Sequence, residues 1–118
     1  MSSSPERSAP EPPQPETLAP YAGELVALAE ASIDHGLARG VPLEPDLADL
    51  SDALRATRAA FVSLRRDGQL RGCIGTLEAH RPLAADIAAN AFGAAFRDPR
   101  FPPLAAAERT AIALKIEV

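Results

Sequence analysis

Two runs of strand-forming residues, 59–65 and 70–77, stand on either side of Asp67-Gly68, and few short signals restrict a chain more than this one. An Asp-Gly pair supplies the positive-φ positions of a type I′ turn, whose twist matches that of the strands it joins. The pattern predicts a β-hairpin. With Asp67 and Gly68 as the central turn residues, Arg66 faces Gln69, and counting outward opposes Leu64 to Arg71, Val62 to Cys73 and Phe61 to Ile74. That count places Cys73 on the face of Val62, Leu64 and Arg71, with Phe61, Leu70 and Ile74 on the other. A ribbon apolar on both faces needs cover on both, so the hairpin is expected to be largely buried.

The cover is readable on either side of it. Tyr21, Leu25, Leu28, Ala29, Ser32, Ile33 and Leu37 recur at helical steps and Gly40 suits a left-handed stop, which predicts an amphipathic helix over 21–39. Leu47, Leu50 and Leu54 space a second, shorter helical segment. Pro82 suits a first helical position, and the small residues from Ala84 to Ala95 predict a helix over 82–97 able to pack closely on a sheet, ended by Asp98-Pro99. Ile112, Leu114, Ile116 and Val118 alternate with Ala113, Lys115 and Glu117, a half-buried strand over 111–118. No turn comes after that strand, so the chain is expected to be cut within a domain or to receive neighbouring strands from another chain. Residues 1–20 hold six of the twelve prolines among Ser, Glu and Gln, a composition that buries too little apolar surface to order itself and predicts a disordered tail. The fold class is α+β: an antiparallel sheet built on the hairpin and the last strand, with helices packed on it.

Charge and composition narrow the function classes. At 118 residues, 47% hydrophobic and 24% charged, the chain fits one globular domain. A net charge of −4 argues against nucleic acid or an anionic membrane as partner. Between Arg58 and Pro103, however, seven arginines meet four acids, a basic island that suits an anionic small ligand or an acidic partner surface. One cysteine and two histidines, His35 and His80, leave no internal disulfide and no four-ligand zinc set, so neither metal nor cofactor is expected. The polar start and the short apolar runs predict a cytoplasmic protein.

The stretch Leu70-Arg71-Gly72-Cys73-Ile74-Gly75-Thr76, followed by Ala94-Ala95-Phe96-Arg97-Asp98-Pro99-Arg100-Phe101, resembles the AMMECR-type domain, known in prokaryotes as AmmeMemoRadiSam system protein A. Phe61-Val62-Ser63-Leu64, Pro82-Leu83, Pro103-Leu104 with Glu108, and Ile116-Glu117-Val118 support the likeness, which covers residues 21–118. Two departures stand out: Ala60 occupies a position usually held by glycine, and the family domain continues well past Val118, so the chain is expected to be the N-terminal part of such a domain. The resemblance implies two α+β subdomains with antiparallel sheets, and a Leu-Arg-Gly-Cys-Ile-Gly motif facing the cleft between them. It further implies an accessory or scaffold role beside a Memo-like protein, itself similar to non-haem dioxygenases, and a radical SAM protein. This chain lacks the three-cysteine signature of a radical SAM cluster, so such chemistry would belong to the partner.

Cys73 is the candidate nucleophile, because the glycines beside it let a substrate approach the sulfur, and Arg71 two residues away would favour the thiolate. The competing reading is a small packed hydrophobe in a strand, with the glycines serving packing. No histidine is placed as its base. The Arg97-Asp98-Pro99-Arg100 segment would either grip a carboxylate or phosphate or form an internal clamp. Asn90, if buried, must find hydrogen-bond partners, and the hairpin is the candidate. The candidate cleft is therefore Leu70, Arg71, Gly72, Cys73, Ile74, Gly75, Thr76, Asn90, Arg97, Asp98 and Arg100, with Cys73 and Arg71 as the catalytic candidates. A thiol-dependent enzyme or carrier remains the alternative to the accessory role.

Overall fold

The hairpin forms where Asp67-Gly68 requires it. In this computed structural model, which describes residues 15–118 and side chains from Leu18 onward, β1 (Phe61–Arg66) and β2 (Gln69–Gly75) are joined by Asp67 at φ +53° and Gly68 at φ +77°. Both central residues are left-handed, as a type I′ turn demands. The last strand, β3 (Ile112–Glu117), pairs antiparallel with the other side of β1, giving the order β2-β1-β3. The neighbour of β3 thus comes from within the chain, as a sheet built on the hairpin and the last strand requires. It is β1, roughly fifty residues back in sequence, that fills the place.

Helix α1 (Ala22–Arg39) ends at Gly40, φ +78°, whose N–H donates to the Gly36 carbonyl at 2.8 Å. A short 3-10 turn, Leu47–Asp49, and the four-residue helix α2 (Asp52–Arg55) lead into β1. Helix α3 (Leu83–Phe96) comes after the hairpin, and a 3-10 segment, Ala106–Ala111, precedes β3. These elements match the α+β expectation. The ordered fold starts earlier than expected, because Pro15–Tyr21 forms a 3-10 helix and Leu18 is buried. The rest of the expected tail, 1–14, lies outside the described residues. No helix among the described residues is long and apolar enough to cross a membrane.

Leu28 and Ile33 of α1, Leu83 and Ile87 of α3, and Val62 and Leu64 of β1 close one core. Helix α3 is buried nearly all round, and its small residues allow close contact on two sides. On one side, Gly36 of α1 meets the rings of Phe92 and Phe96; on the other, Gly72 of β2 meets the Ala94 carbonyl. Ser32 adds a polar tie, donating from Oγ to the Ala88 carbonyl at 2.7 Å.

The hairpin register departs from the simple count. Arg66 faces Gln69 and Arg65 faces Leu70, but Leu64 faces Gly72, Ser63 faces Cys73, Val62 faces Ile74 and Phe61 faces Gly75. Arg71 is the extra residue of a β-bulge, and every position beyond it moves by one relative to the uninterrupted register. Cys73 therefore lies not with Val62 and Leu64 but with Ser63 and Phe61, on the face away from the core. Among the described residues no helix lies over that face. Val62 and Leu64 are fully buried while Phe61 is 38% exposed, so the described elements cover the hairpin on one side, where both sides were expected to be covered.

Candidate functional site

The bulge sends the Arg71 side chain toward the segment that links α3 to β3. Its Nε donates to Glu108 Oε2 at 3.0 Å, and its Nη2 donates to Glu108 Oε1 at 3.1 Å and to the Pro102 carbonyl at 2.9 Å. The residue is buried, and its guanidinium carbon stands 5.9 Å from the centre of the Phe101 ring, a cation–π contact. Arg66 also donates to Glu108 Oε2, at 2.8 Å, and Ala105 N to Oε1, at 3.0 Å. The Arg71 guanidinium above all, then the Ala105 N–H, hold the Glu108 carboxyl down at about 2. Arg71 is thus committed to a carboxylate and does not serve the thiolate of Cys73 as expected.

Asp98 lies just beyond α3 and is buried. Its Oδ2 accepts from Arg100 Nη2 at 2.7 Å and from the backbone N–H of Cys73 at 3.0 Å; its Oδ1 accepts from Arg100 Nε and Arg100 N, both at 3.0 Å. The Arg100 guanidinium is the main reason its carboxyl sits well below the usual range, with the backbone donors adding to it. Asp98 raises the pKa of Arg100 in return. The Arg-Asp-Pro-Arg segment is accordingly an internal clamp on the outer edge of β2. Arg97 is not part of it; its guanidinium lies over the Phe92 ring at 4.8 Å.

Cys73 itself is half-buried. Ser63 Oγ donates to its Sγ at 3.3 Å, which is the thiol's hydrogen bond among the described residues. No imidazole approaches: His80 is exposed with Nδ1 3.1 Å from the Glu78 carbonyl oxygen, and His35 has Nδ1 2.9 Å from that of Val41. The glycines beside the thiol have packing duties, since a methyl on Gly72 would overlap the Ala94 carbonyl oxygen and one on Gly75 would overlap the Phe61 ring. Leu70 and Ile74 are half-buried, and Ile74 lies against Gly93.

Thr76 and Asn90 join a separate cluster that residue-by-residue reading missed. Its centre is Asp86, fully buried on α3, which accepts from Ala60 N at 2.8 Å, Thr76 Oγ1 at 2.7 Å, Arg81 Nε at 2.7 Å and Asn90 Nδ2 at 3.1 Å. Asn90 does reach the hairpin, donating to the Ala60 carbonyl at 2.9 Å and to Thr76 Oγ1 at 3.0 Å. The available signal was spacing: Asp86 and Asn90 are four residues apart on one helix face, and both are polar in an alanine stripe. Glu108 was missed as well, because the bulge that brings Arg71 to it leaves no sequence mark. Six of the candidate residues therefore fall into a clamp on the β2 edge (Arg71, Cys73, Asp98, Arg100) and a buried carboxylate–amide cluster (Thr76, Asn90), while Arg97, Leu70, Gly72, Ile74 and Gly75 belong to neither.

The family model described as AMMECR1 matches residues 26–118. A protein of Methanothermobacter thermautotrophicus is 40% identical over 95 residues, covering 80% of this chain and 48% of its own length. One from Thermotoga maritima is 39% identical over 88 residues, covering 73% and 51% respectively. Among solved structures, the uncharacterized protein PH0010 from Pyrococcus horikoshii superimposes with a TM-score of 0.76 at 31% identity, over 82% of this chain and 50% of that one. This chain spans about half the length of the curated relatives it matches.

Proposed function

The chain belongs to the AMMECR1 family, and from that premise we propose that it is an accessory module of a redox-linked modification system, recognising a Memo-like protein and a radical SAM protein. The observation that carries this reading is that the carboxylates and most of the cations around the thiol are paired with one another inside the protein, while Arg97 lies over the Phe92 ring. Arg71 is bound to Glu108, Asp98 to Arg100 and the β2 backbone, and Asp86 to Arg81. Charges neutralised this way make a rigid surface and leave no assembled acid–base pair beside the thiol. The outer face, which no described helix covers, has Phe61 exposed and Arg100 at its edge with a side chain 57% exposed, and we assign it to the partner.

The test is direct binding, by biolayer interferometry, of purified Memo-like and radical SAM proteins to this chain. Saturable binding of at least one, weakened about tenfold by Phe61→Ala and unchanged by Cys73→Ser, is the expected result for an exposed aromatic on the contact face. Failure of both proteins to bind at about 100 μM overturns the proposal.

One observation favours a second reading, a thiol-dependent enzyme or carrier: Cys73 is half-buried on a face that no described helix covers. Rapid iodoacetamide labelling of the folded protein at neutral pH, with an apparent pKa well below about 8.5, together with loss of turnover in Cys73→Ser, would establish it. Labelling only after denaturation would remove it.

A further inference from the structure

The connection from β2 to α3 is pinched at its base. On one side Thr76 N–H donates to the Ala60 carbonyl at 3.1 Å; on the other, Pro82 forms an isolated antiparallel bridge with Thr57, and Leu83 N–H donates to the Ala56 carbonyl at 2.8 Å. Residues 77–81 therefore arch between two points fixed on one segment, where Arg58 and Ala59 alone fill the same interval. Within the arch, His80 Nδ1 lies 3.1 Å from the Glu78 carbonyl oxygen. Among the described residues, 77–80 make no hydrogen bond to the rest of the protein.

What ties the arch down is a single oxygen. Asp86 Oδ1 accepts from Thr76 Oγ1 and from Arg81 Nε, both at 2.7 Å, so the two ends of the arch meet on it. The other oxygen, Oδ2, belongs to the floor beneath, accepting from Ala60 N–H at 2.8 Å and Asn90 Nδ2 at 3.1 Å. The two ends are held unequally. Thr76 is tied through its backbone as well as its hydroxyl, whereas among the described residues Arg81 is tied by its guanidinium alone. The Arg81 side chain is 34% exposed and Asp86 is fully buried, so water reaches the cation of this pair and not the carboxylate. On release the guanidinium returns to solvent, Asp86 keeps Thr76, Ala60 and Asn90 as donors, and no sheet or helix hydrogen bond breaks.

We propose that residues 77–81 are a lid over Asp86, hinged at Thr76 and Pro82 and held shut by Arg81. Closed, it covers Oδ1 with a guanidinium from the same chain. Open, it presents that carboxylate oxygen to solvent while the core stays folded, a local opening of low cost set by one ion pair.

Backbone amide order parameters from NMR relaxation, together with cleavage after Glu78 by a glutamate-specific protease, test the lid in the 118-residue chain. Glu78, Ala79 and His80 of the parent should sit near the rigid value of about 0.85. Arg81→Met, which keeps the apolar stem and removes the guanidinium, should bring them below about 0.6 and leave Val62 and Ile87 unchanged. It should also speed cleavage after Glu78 about tenfold, because cleavage follows the open population. Thr76→Val should speed it no more than about threefold, since the backbone bond to Ala60 remains. In the parent itself, about 1 M sodium chloride should speed this cleavage about threefold relative to a free peptide of residues 74–83, by screening the pair, and should have no such effect in Arg81→Met. Order parameters and cleavage in Arg81→Met that match the parent overturn the proposal. So do equal acceleration by Thr76→Val, loosening that extends to Val62 and Ile87, or a parent whose cleavage ignores salt.

Discussion

Along β2 the outward N–H of Cys73 meets the Asp98 carboxylate at 3.0 Å, and the linking segment is strapped across by Arg71 on Glu108 and the Pro102 carbonyl. Along β3 the outward groups of Leu114 and Ile116 meet nothing among the described residues. The two edges flank the same central strand, so the difference does not arise from the sheet. It arises from the path of the chain around each edge: β2 leads into α3, whose close packing on Gly72 returns residues 98–108 along that edge, and no described segment returns along β3. In this chain the residues of the two motifs thus make the contacts that close that edge. Arg71, Gly72, Gly75 and Asp98 each fasten β2 to its surroundings.

The strongest way to break the closed edge is Gly72→Ala. The added methyl overlaps the Ala94 carbonyl oxygen, an atom held in a helix, so β2 must separate from α3. A loss of about 3 kcal/mol in urea unfolding is expected. The same change at Gly23, where a Cβ meets nothing within 4 Å, should be neutral or slightly stabilising and serves as the control.

Arg71→Ala comes next. It strands the Pro102 carbonyl and leaves Glu108 with Arg66 as its cation, so about 2 kcal/mol is expected, measured the same way. An unchanged unfolding midpoint would show that the strap does not hold the edge.

Acid should weaken the closed edge. Glu108 has its folded-state pKa lowered from 4.5 to about 2, mainly by Arg71, and a lowered carboxyl pKa contributes stability that is complete above the unfolded value. That contribution is lost as pH falls from about 4.5 toward about 2. Urea midpoints across that window should fall for the parent chain and fall less for Arg71→Met, in which the principal cause of the shift is gone.

The smallest effect belongs to the open edge. Lys115→Ala removes an exposed side chain from β3 and should change monomer stability by no more than about 0.5 kcal/mol. Thermal unfolding at low protein concentration checks this. A large loss there would mean that the two edges are not energetically different.

Much of the scaffold could be read from the sequence. Asp67-Gly68 has one efficient use between apolar runs, Gly40 ends α1 as expected, and the alternation from Ile112 to Glu117 is a strand. These are consequences of local sterics and periodicity, which act over a few residues. The sequence alone also carried the family resemblance and the pairing of a cysteine with a downstream Arg-Asp-Pro-Arg segment. The tertiary structure decided the rest. The bulge at Arg71 changed which face Cys73 occupies, and Asp86 and Glu108 emerged as the acceptors on which the candidate residues converge. Each depends on how α3 packs against β2 and redirects the chain, and contacts made over long sequence separations leave no periodic mark in the residues that make them.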